Sequence, residues 1–340
     1  MSIGIGVEST RGKLVAPSYY VNALSFNHED KVTKARTNAG YGGIWGGTQS
    51  LVAQKWAEGE MQIEMGDRSF GEILQATFGI VSSVSFDSAY KHTYTLQNDN
   101  KHDSLSIQTT DPIGDLSFAR AMINELTIEI TPEELVNYTV SFISEPSEAG
   151  SITASYDAEN KFLGRHLSFK VAADTSSFSN ATVDLKRLTL TITKNTESSW
   201  ILGDVSPADI NNKMFTITGE LELNYEDRTY RDYMLDGDYK ALRIDLVNTD
   251  VTIGTTNPSF RIDLSKVDFH DWDADHALDD ITSQTLQFTA LYDIDSNDNL
   301  FNDCYLINSD SEYPTSTSTS STSSSSSSST SSSTSSSTSA

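Results

Sequence analysis

The densest run of chemistry-bearing side chains is His270-Asp271-Trp272-Asp273-Ala274-Asp275-His276, with Asp268, Asp279 and Asp280 beside it. Carboxylates and imidazoles so crowded can coordinate a cation, and the oxygen-rich set suits calcium or magnesium. An acidic surface loop has the same composition, and that is the favoured reading. Asp293-x-Asp295-x-Asn297-Asp298-Asn299 imitates the start of a calcium loop. It departs where such loops are specific, with Asp298 in place of the turn glycine and Cys304 in place of the closing glutamate. Gly40-Tyr41-Gly42-Gly43-Ile44-Trp45-Gly46-Gly47 is glycine-rich but lacks the Lys-Ser/Thr ending of a phosphate loop. None of His28, His92, His102, His166, His270 and His276 stands in an H-E-x-x-H pattern. Cys304 is the only cysteine, so there is no internal disulfide and no cysteine-ligated zinc. Carboxylate pairs are too numerous to single out an acid and a nucleophile, and no Gly-x-Ser-x-Gly elbow occurs. The expectation is a non-enzyme with no catalytic residue, no metal and no cofactor.

Charge narrows the partners. The 340 residues carry 48 acidic and 23 basic side chains, a formal net charge of −25. A basic grip on nucleic acid is therefore excluded as the main mode. A surface that DNA passes without sticking is not. A strong negative field also keeps a chain soluble until a specific partner docks. The N-terminal residues lack the basic and long apolar parts of a signal peptide. No stretch approaches the roughly 18 apolar residues of a membrane span. A soluble protein made in the cytosol, without a membrane partner, is expected.

The elements that would position any site are written twice. Gly59-Glu60-Met61-Gln62-Ile63-Glu64-Met65-Gly66-Asp67-Arg68-Ser69-Phe70-Gly71-Glu72-Ile73-Leu74 recurs as Gly219-Glu220-Leu221-Glu222-Leu223-Asn224-Tyr225-Glu226-Asp227-Arg228-Thr229-Tyr230-Arg231-Asp232-Tyr233-Met234. The offset is constant, 219 − 59 = 160. Gly59/Gly219, Glu60/Glu220, Asp67/Asp227 and Arg68/Arg228 are identical and define the repeat. A domain-sized period means two copies of one domain rather than a solenoid.

Within the block, Met61, Ile63 and Met65 alternate with Glu60, Gln62 and Glu64, which predicts a strand with one buried face. Leu221, Leu223 and Tyr225 alternate with Glu220, Glu222 and Asn224 in the same way. Ser69-x-x-Glu72 fits a capping box opening a helix, and Thr229-x-x-Asp232 is its weaker counterpart. Phe70, Ile73, Leu74 and Phe78 share one helical face, with Gly79 as a stop. Tyr230, Tyr233 and Met234 form the second face, and Gly237 ends that helix. Period-two alternation at Leu105–Thr109, Leu126–Ile130, Leu188–Ile192 and Leu286–Leu291 predicts antiparallel strands. The fold class is mainly β: two tandem antiparallel β-sandwich or barrel domains, each with one amphipathic helix. Beyond the block, Leu24-Ser25-Phe26 is set beside Leu188-Thr189-Leu190. Thr139-Val140-Ser141-Phe142 is set beside Leu286-Gln287-Phe288-Thr289.

Residues 315–339 are only Ser and Thr, before Ala340. A segment with nothing apolar cannot offset the entropy of ordering, so a disordered tail is expected. The division is 1–155 for the first copy, 156–312 for the second and 313–340 for the tail.

The opening Gly6-Val7-Glu8-Ser9-Thr10-Arg11-Gly12, then Ala16-Pro17-Ser18-Tyr19-Tyr20-Val21, carry a family likeness. So do the Gly59-Glu60 strand, the helix end Leu74-Gln75-Ala76-Thr77-Phe78-Gly79, and the strand pair Glu125–Glu129 and Tyr138–Phe142. With these, the chain resembles the tail tube proteins of long-tailed bacteriophages over about residues 1–312, most clearly 1–150. The resemblance implies a β-sandwich-like subunit that assembles into six-fold rings. The rings stack into a hollow tube, a continuous inner barrel lines it, and the lumen is acidic. Two fused copies then need three chains per ring, a homotrimeric pseudo-hexamer. Tape-measure and tail terminator proteins are the implied partners, with DNA in transit and not specifically bound. The location is the virion tail, after synthesis in the host cytoplasm.

Under this resemblance, Glu60, Gln62, Glu64, Glu220, Glu222 and Asn224 face the lumen, or else ordinary solvent. Tyr41 and Trp45 in the glycine-rich loop are the candidate contact to the neighbouring ring. The alternative is a cell-surface β-domain protein with a glycosylated Ser/Thr stalk, disfavoured by the missing signal peptide. A carbohydrate-active module ranks third, supported only by the tyrosine-rich stretch Tyr225–Tyr239.

Overall fold

The computed structural model describes residues 1–38, 42, 47–276, 281–295 and 298–314. In the first copy the strands are β1 (Ile3–Val7), β2 (Tyr19–Val21), β3 (Ala23–Arg36) and β4 (Ser50–Glu64). Helix α1 (Phe70–Phe78) follows, then β5 (Gly79–Phe86), β6 (Ala89–Leu96), β7 (Leu105–Thr109), β8 (Leu116–Ile130), β9 (Asn137–Ser144) and β10 (Glu148–Ala149). The second copy has β11 (Leu167–Ala172), β12 (Thr182–Val183), β13 (Arg187–Thr193), β14 (Glu197–Ser199), β15 (Asp209–Asn211) and β16 (Thr216–Asn224). Helix α2 (Thr229–Asp236), β17 (Lys240–Val247), β18 (Ser259–Asp275), β19 (Ser283–Ala290) and β20 (Asp303–Asn308) complete it. The fold is mainly β and sandwich-like, and its antiparallel sheets are not closed into a barrel.

One antiparallel run joins the copies in the order β3-β4-β9-β8-β13-β16-β19-β18. Each copy supplies four of these strands, and the β8–β13 ladder is the seam. The N-terminal halves of β8 and β18 leave this run and pair instead with β7 and β17. β1 and β11 extend that second layer. Long strands that pass between layers in this way commonly bend at bulges. Apolar side chains from both layers form one core, with Ile5 and Ile107 on one side and Met61, Leu126 and Val140 on the other. That core runs through both copies.

The duplication is legible in the irregularities as well. Pairing slips between Ile123 and Glu125 in β8 and between Phe269 and Asp271 in β18, both 146 residues apart. It also slips between Leu105 and Ile107 in β7 and between Lys240 and Leu242 in β17. These registers correct the looser sequence alignments. Phe26 faces Met61 as Leu188 faces Leu221, so β3 and β13 correspond at 188 − 26 = 162. Phe142 faces Gly59 as Phe288 faces Gly219, so β9 and β19 correspond at 288 − 142 = 146. The sequence alignment of those last two strands was one residue out, which would have exchanged their faces.

The same pairing explains the shared glycine. A Cβ on Gly59 would stand 2.4 Å from Phe142 Cζ, and one on Gly219 would stand 2.4 Å from Phe288 Cζ. In each copy a phenylalanine ring lies across its cross-strand glycine and fills the space a side chain would take.

The helices differ from each other and from their predicted caps. Neither Ser69 nor Arg228 makes a side-chain cap. The Ser69 N–H donates to Glu159 Oε1 of the inter-copy segment, residues 150–166 between β10 and β11, and the Thr229 N–H donates to Asp227 Oδ1 at 2.9 Å. Glu72 does not return to the cap because it is fully enclosed. Helix α1, predicted amphipathic, is buried on every face. Tyr313 packs on Gly71, and the Lys194 ammonium donates to Ala76 O at 2.6 Å near the helix C-terminus. Burial, with Arg11 adding to it, lowers the Lys194 pKa to about 7. Helix α2 has no buried residue, although Tyr230, Tyr233 and Met234 pack on the core as their spacing predicted. Gly79 and Gly237 end the two helices with positive φ, at 95° and 69°. Tyr313 and Pro314 belong to the folded body, since Tyr313 is buried and Gln75 Nε2 donates to Pro314 O at 2.6 Å. Residues 315–340 lie outside the described residues.

Two outcomes follow from this packing. Gly219→Ala should lower stability by about 1–3 kcal/mol, because Phe288 and the Thr189 carbonyl must yield to the new methyl group. A urea midpoint equal to wild type would remove the ring-over-glycine explanation. The second concerns Glu72, whose pKa burial raises to about 8, with the Ser18 hydroxyl opposing and Asp310 reinforcing. A raised folded-state pKa contributes stability below the unfolded value of 4.5, and that contribution is lost as pH climbs through 8. Glu72→Gln should therefore match wild type near pH 4 and exceed it by on the order of a few kcal/mol near pH 8. Parallel thermal melts check this, and a gap between the two proteins that stays constant from pH 4 to pH 8 would overturn it.

Candidate functional site

The eight-strand run has one apolar face against the core and one polar face away from it. On the polar face, Glu60 of β4 stands opposite Asn27 of β3 and Ser141 of β9, and Ser141 stands opposite Glu125 of β8. Glu129 of β8 faces Thr189 of β13, which faces Glu220 of β16. Glu220 faces Gln287 of β19, which faces Asp271 of β18. The six residues predicted for this face, Glu60, Gln62, Glu64, Glu220, Glu222 and Asn224, all lie on it, exposed or half-buried. Glu58, Glu125, Glu129, Asp271, Asp273 and Asp275 share it.

Lys31 and Arg187 are the basic side chains among these rows. Lys31 Nζ lies 2.9 Å from Glu58, and Arg187 lies 3.5 Å from Glu129. Burial works to raise the Glu58 pKa, but the Trp56 indole N–H and the Lys31 ammonium outweigh it and hold the carboxyl below its usual range. Between the acids stand hydroxyls and amides. Thr127 and Thr191 meet at 3.3 Å across the seam, Thr193 donates to Glu125 at 3.3 Å, and Gln287 donates to Glu220 at 3.3 Å. The face is thus an acidic, hydroxyl-rich surface continuous over both copies. Its carboxylates repel polyanions, and apolar matter finds little to bind there.

Both lateral ends of the run are open among the described residues. β3 pairs with β4 alone, and the C-terminal half of β18 pairs with β19 alone. Toward its tip the β3–β4 hairpin runs past the end of β9, whose last partner is Ala57. This arm exposes Val32, Leu51 and Val52. It leans on the second copy, with the Lys55 N–H donating to Val205 O at 2.7 Å and Trp56 meeting Trp200 edge-on at 5.9 Å. Tyr41 and Trp45, the candidate inter-ring residues, lie outside the described residues.

The repeated Asp-Arg pair has diverged in use. Asp67 is buried and accepts from the Asn160 N–H at 2.9 Å and from Asn160 Nδ2 at 2.8 Å. Arg68 pairs with Asp310 at 2.8 Å, and its carbonyl accepts from the Tyr313 hydroxyl at 2.7 Å. One site thereby ties down the inter-copy segment and the residues that follow β20. Asp227 and Arg228 are exposed, and Asp227 serves only its own helix.

The opening motif is a second clamp. Buried Glu8 accepts from the Gly12 N–H, the hydroxyls of Ser104 and Ser106 and the Arg120 N–H. Arg11 reaches across to Asp209 of the second copy at 2.7 Å.

The cation candidates resolve differently from expectation. His270–Asp275 is not a loop but the C-terminal half of β18, and its aspartates alternate with Trp272 and Ala274. The Trp272 indole N–H donates to Gln284 at 3.0 Å. Asp279, Asp280 and Asn297 lie outside the described residues. Asp298 accepts from the Ser265 hydroxyl at 2.9 Å. Cys304 is buried in β20, and burial pushes its thiol pKa up. Sequence reasoning missed Glu125, Glu129 and the β18 aspartates as members of the polar face. The signal was present in Leu126-Thr127-Ile128-Glu129-Ile130 and in Asp271-Trp272-Asp273-Ala274-Asp275, which alternate like the repeated block.

No helix among the described residues is long and apolar enough to cross a membrane. Compared with known proteins, residues 1–290 match a family model described as phage tail tube protein, and the match spans both copies. No curated protein matches the chain.

Proposed function

Because the chain belongs to the phage tail tube family, with a structural role in the tail, we propose that it builds the tube as stacked rings of three chains. Each chain supplies two of six quasi-equivalent positions. The acidic face of the eight-strand run lines the lumen. That face is the observation that carries the reading, since it spans both copies without interruption and ends in two open edges. Duplex DNA carries a negative charge about every ~1.7 Å of axis, so a basic wall would hold it and an acidic wall lets it pass. A three-chain layer carries three times −25, or −75, formal charges. Closure would remove the two edges that otherwise invite aggregation.

The arm formed by the outer parts of β3 and β4 reaches the neighbouring ring, its exposed Val32, Leu51 and Val52 supplying apolar contact. The glycine-rich segment 40–47 continues that arm in sequence. Tape-measure protein fills the lumen before DNA does, and a terminator protein caps the last ring. The virion tail is the site of action, after synthesis in the host cytoplasm.

Lysine at Glu60, Glu64, Glu220 and Glu222 together should slow DNA ejection from assembled particles severalfold. An unchanged ejection rate in particles of normal length would count against the lumen assignment. Electron microscopy of the tube should resolve three chains per layer, and deletion of residues 40–47 should leave rings that do not stack. Six chains per layer would end the trimer reading, and normal tubes from the deletion would end the inter-ring role of the loop.

A further inference from the structure

We infer that the open edge of β18 on one chain pairs with the open edge of β3 on the next, in the register that the β8–β13 ladder displays within the chain. This rests on the ring reading above and adds to it a residue-level interface. The internal duplication supplies the register. β18 is the counterpart of β8 at an offset of 146, bulge for bulge, and β3 is the counterpart of β13 at an offset of 162. β8 and β13 already meet, with Leu190 opposite Ile128 and Thr193 opposite Glu125. Their counterparts are the two edges left open.

Transferring the ladder sets His28 opposite Ala274, Asn27 opposite Asp275 and Lys31 opposite Asp271 of the adjoining chain. The bond from the Lys194 N–H to Asn124 O, 2.8 Å within the chain, becomes one from Val32 to His270.

The chemistry of the transferred pairs fits an edge that waits in water. Glu29 falls opposite Asp273, a like-charge pair that disfavours contact. Lys31 falls opposite Asp271 and diagonal to Asp273, so one ammonium offsets both. In the single chain that ammonium is held by Glu58 at 2.9 Å and Glu29 at 3.6 Å. On the core face, His28 and Asp30 replace Leu190 and Ile192 of the internal seam. On its core face the internal seam is apolar, whereas its external counterpart carries polar and charged side chains there, as exposed edges do when they must avoid unselective pairing. Lys31 is the selective contact.

Disulfide trapping in assembled tubes of the full chain tests the register. One variant carries His28→Cys with Ala274→Cys, and another carries Asn27→Cys with Asp275→Cys. Adjacent antiparallel pairs stand about 4.5 or 5.5 Å apart at Cα, both within disulfide reach. Cys304 is buried and stays out of the reaction. Non-reducing gels should show a ladder that ends at three chains for at least one pair. His28→Cys with Trp272→Cys, a slip of two residues, should give none. Cross-links only in the slipped pair would overturn the register and leave the ring standing. Tubes with no cross-link in any pair would overturn the edge pairing. Wild-type chains that form neither rings nor tubes would instead count against the tube reading itself.

Charge reversal needs no cysteine chemistry. Lys31→Glu should raise the concentration needed for assembly about ten-fold, and adding Asp271→Lys should restore it. Failure of that rescue, with the double variant folded, would also overturn the pairing.

Discussion

The structure depends on one backbone ladder, β8 against β13. Its six residue pairs, from Leu188 opposite Ile130 to Thr193 opposite Glu125, turn two four-strand sheets into one surface. The register is over-determined because Leu188, Leu190 and Ile192 must stay beneath the sheet. A slip by one residue would push Thr189 and Glu129 into the core and lift leucines onto the acidic face. The ladder also delivers Lys194 to the end of α1, where its side-chain nitrogen donates to the buried Ala76 carbonyl of the last helical turn. An internal strand joint thus sets the continuity of the polar face, the support of the first helix and the spacing of the two open edges.

Much of this was legible in the chain. The repeated block marked the strand–helix elements β4–α1 and β16–α2, and its alternation separated Met61 and Ile63 from Glu60 and Gln62. Gly79 and Gly237 marked the helix ends. What failed was whatever depends on partners far away in sequence. Ser69 and Glu72 look like a cap because local spacing allows it, but Glu159 takes the cap from 90 residues away. Helix α1 looks amphipathic because its polar positions are genuine, yet the inter-copy segment, the chain end and Lys194 of the second copy close over them. The offsets of the flanking strands escaped because loops of different length intervene, and only cross-strand registers recover them. The His270–Asp275 run resembled a loop by composition, although its period of two was that of a strand.

The two copies have also parted in a directed way. The β5–β6 hairpin and residues 157–161 and 310–314 gather on the first copy, and β20 bridges the two through β6 and β18. The first copy's Asp-Arg pair has become an internal anchor, with Asp67 desolvated and Arg68 bridged to Asp310. In the second copy Asp227 and Arg228 are exposed and α2 has no buried residue. The two units of one chain are therefore related only approximately. In the proposed ring, two kinds of outer surface would alternate around the acidic face.

The docking of Tyr313 onto Gly71 and the Arg68 carbonyl has a consequence in time. The first helix lies near the start of the chain, but the residues that seal it are made about 240 positions later. At about 5–20 residues per second of synthesis, that interval is on the order of ten to fifty seconds. Through it the first half has its strands but not its lid, and Glu72 stays within reach of water. Completion of the first-made helix awaits Tyr313, so this contact forms long after the helix itself has been synthesised.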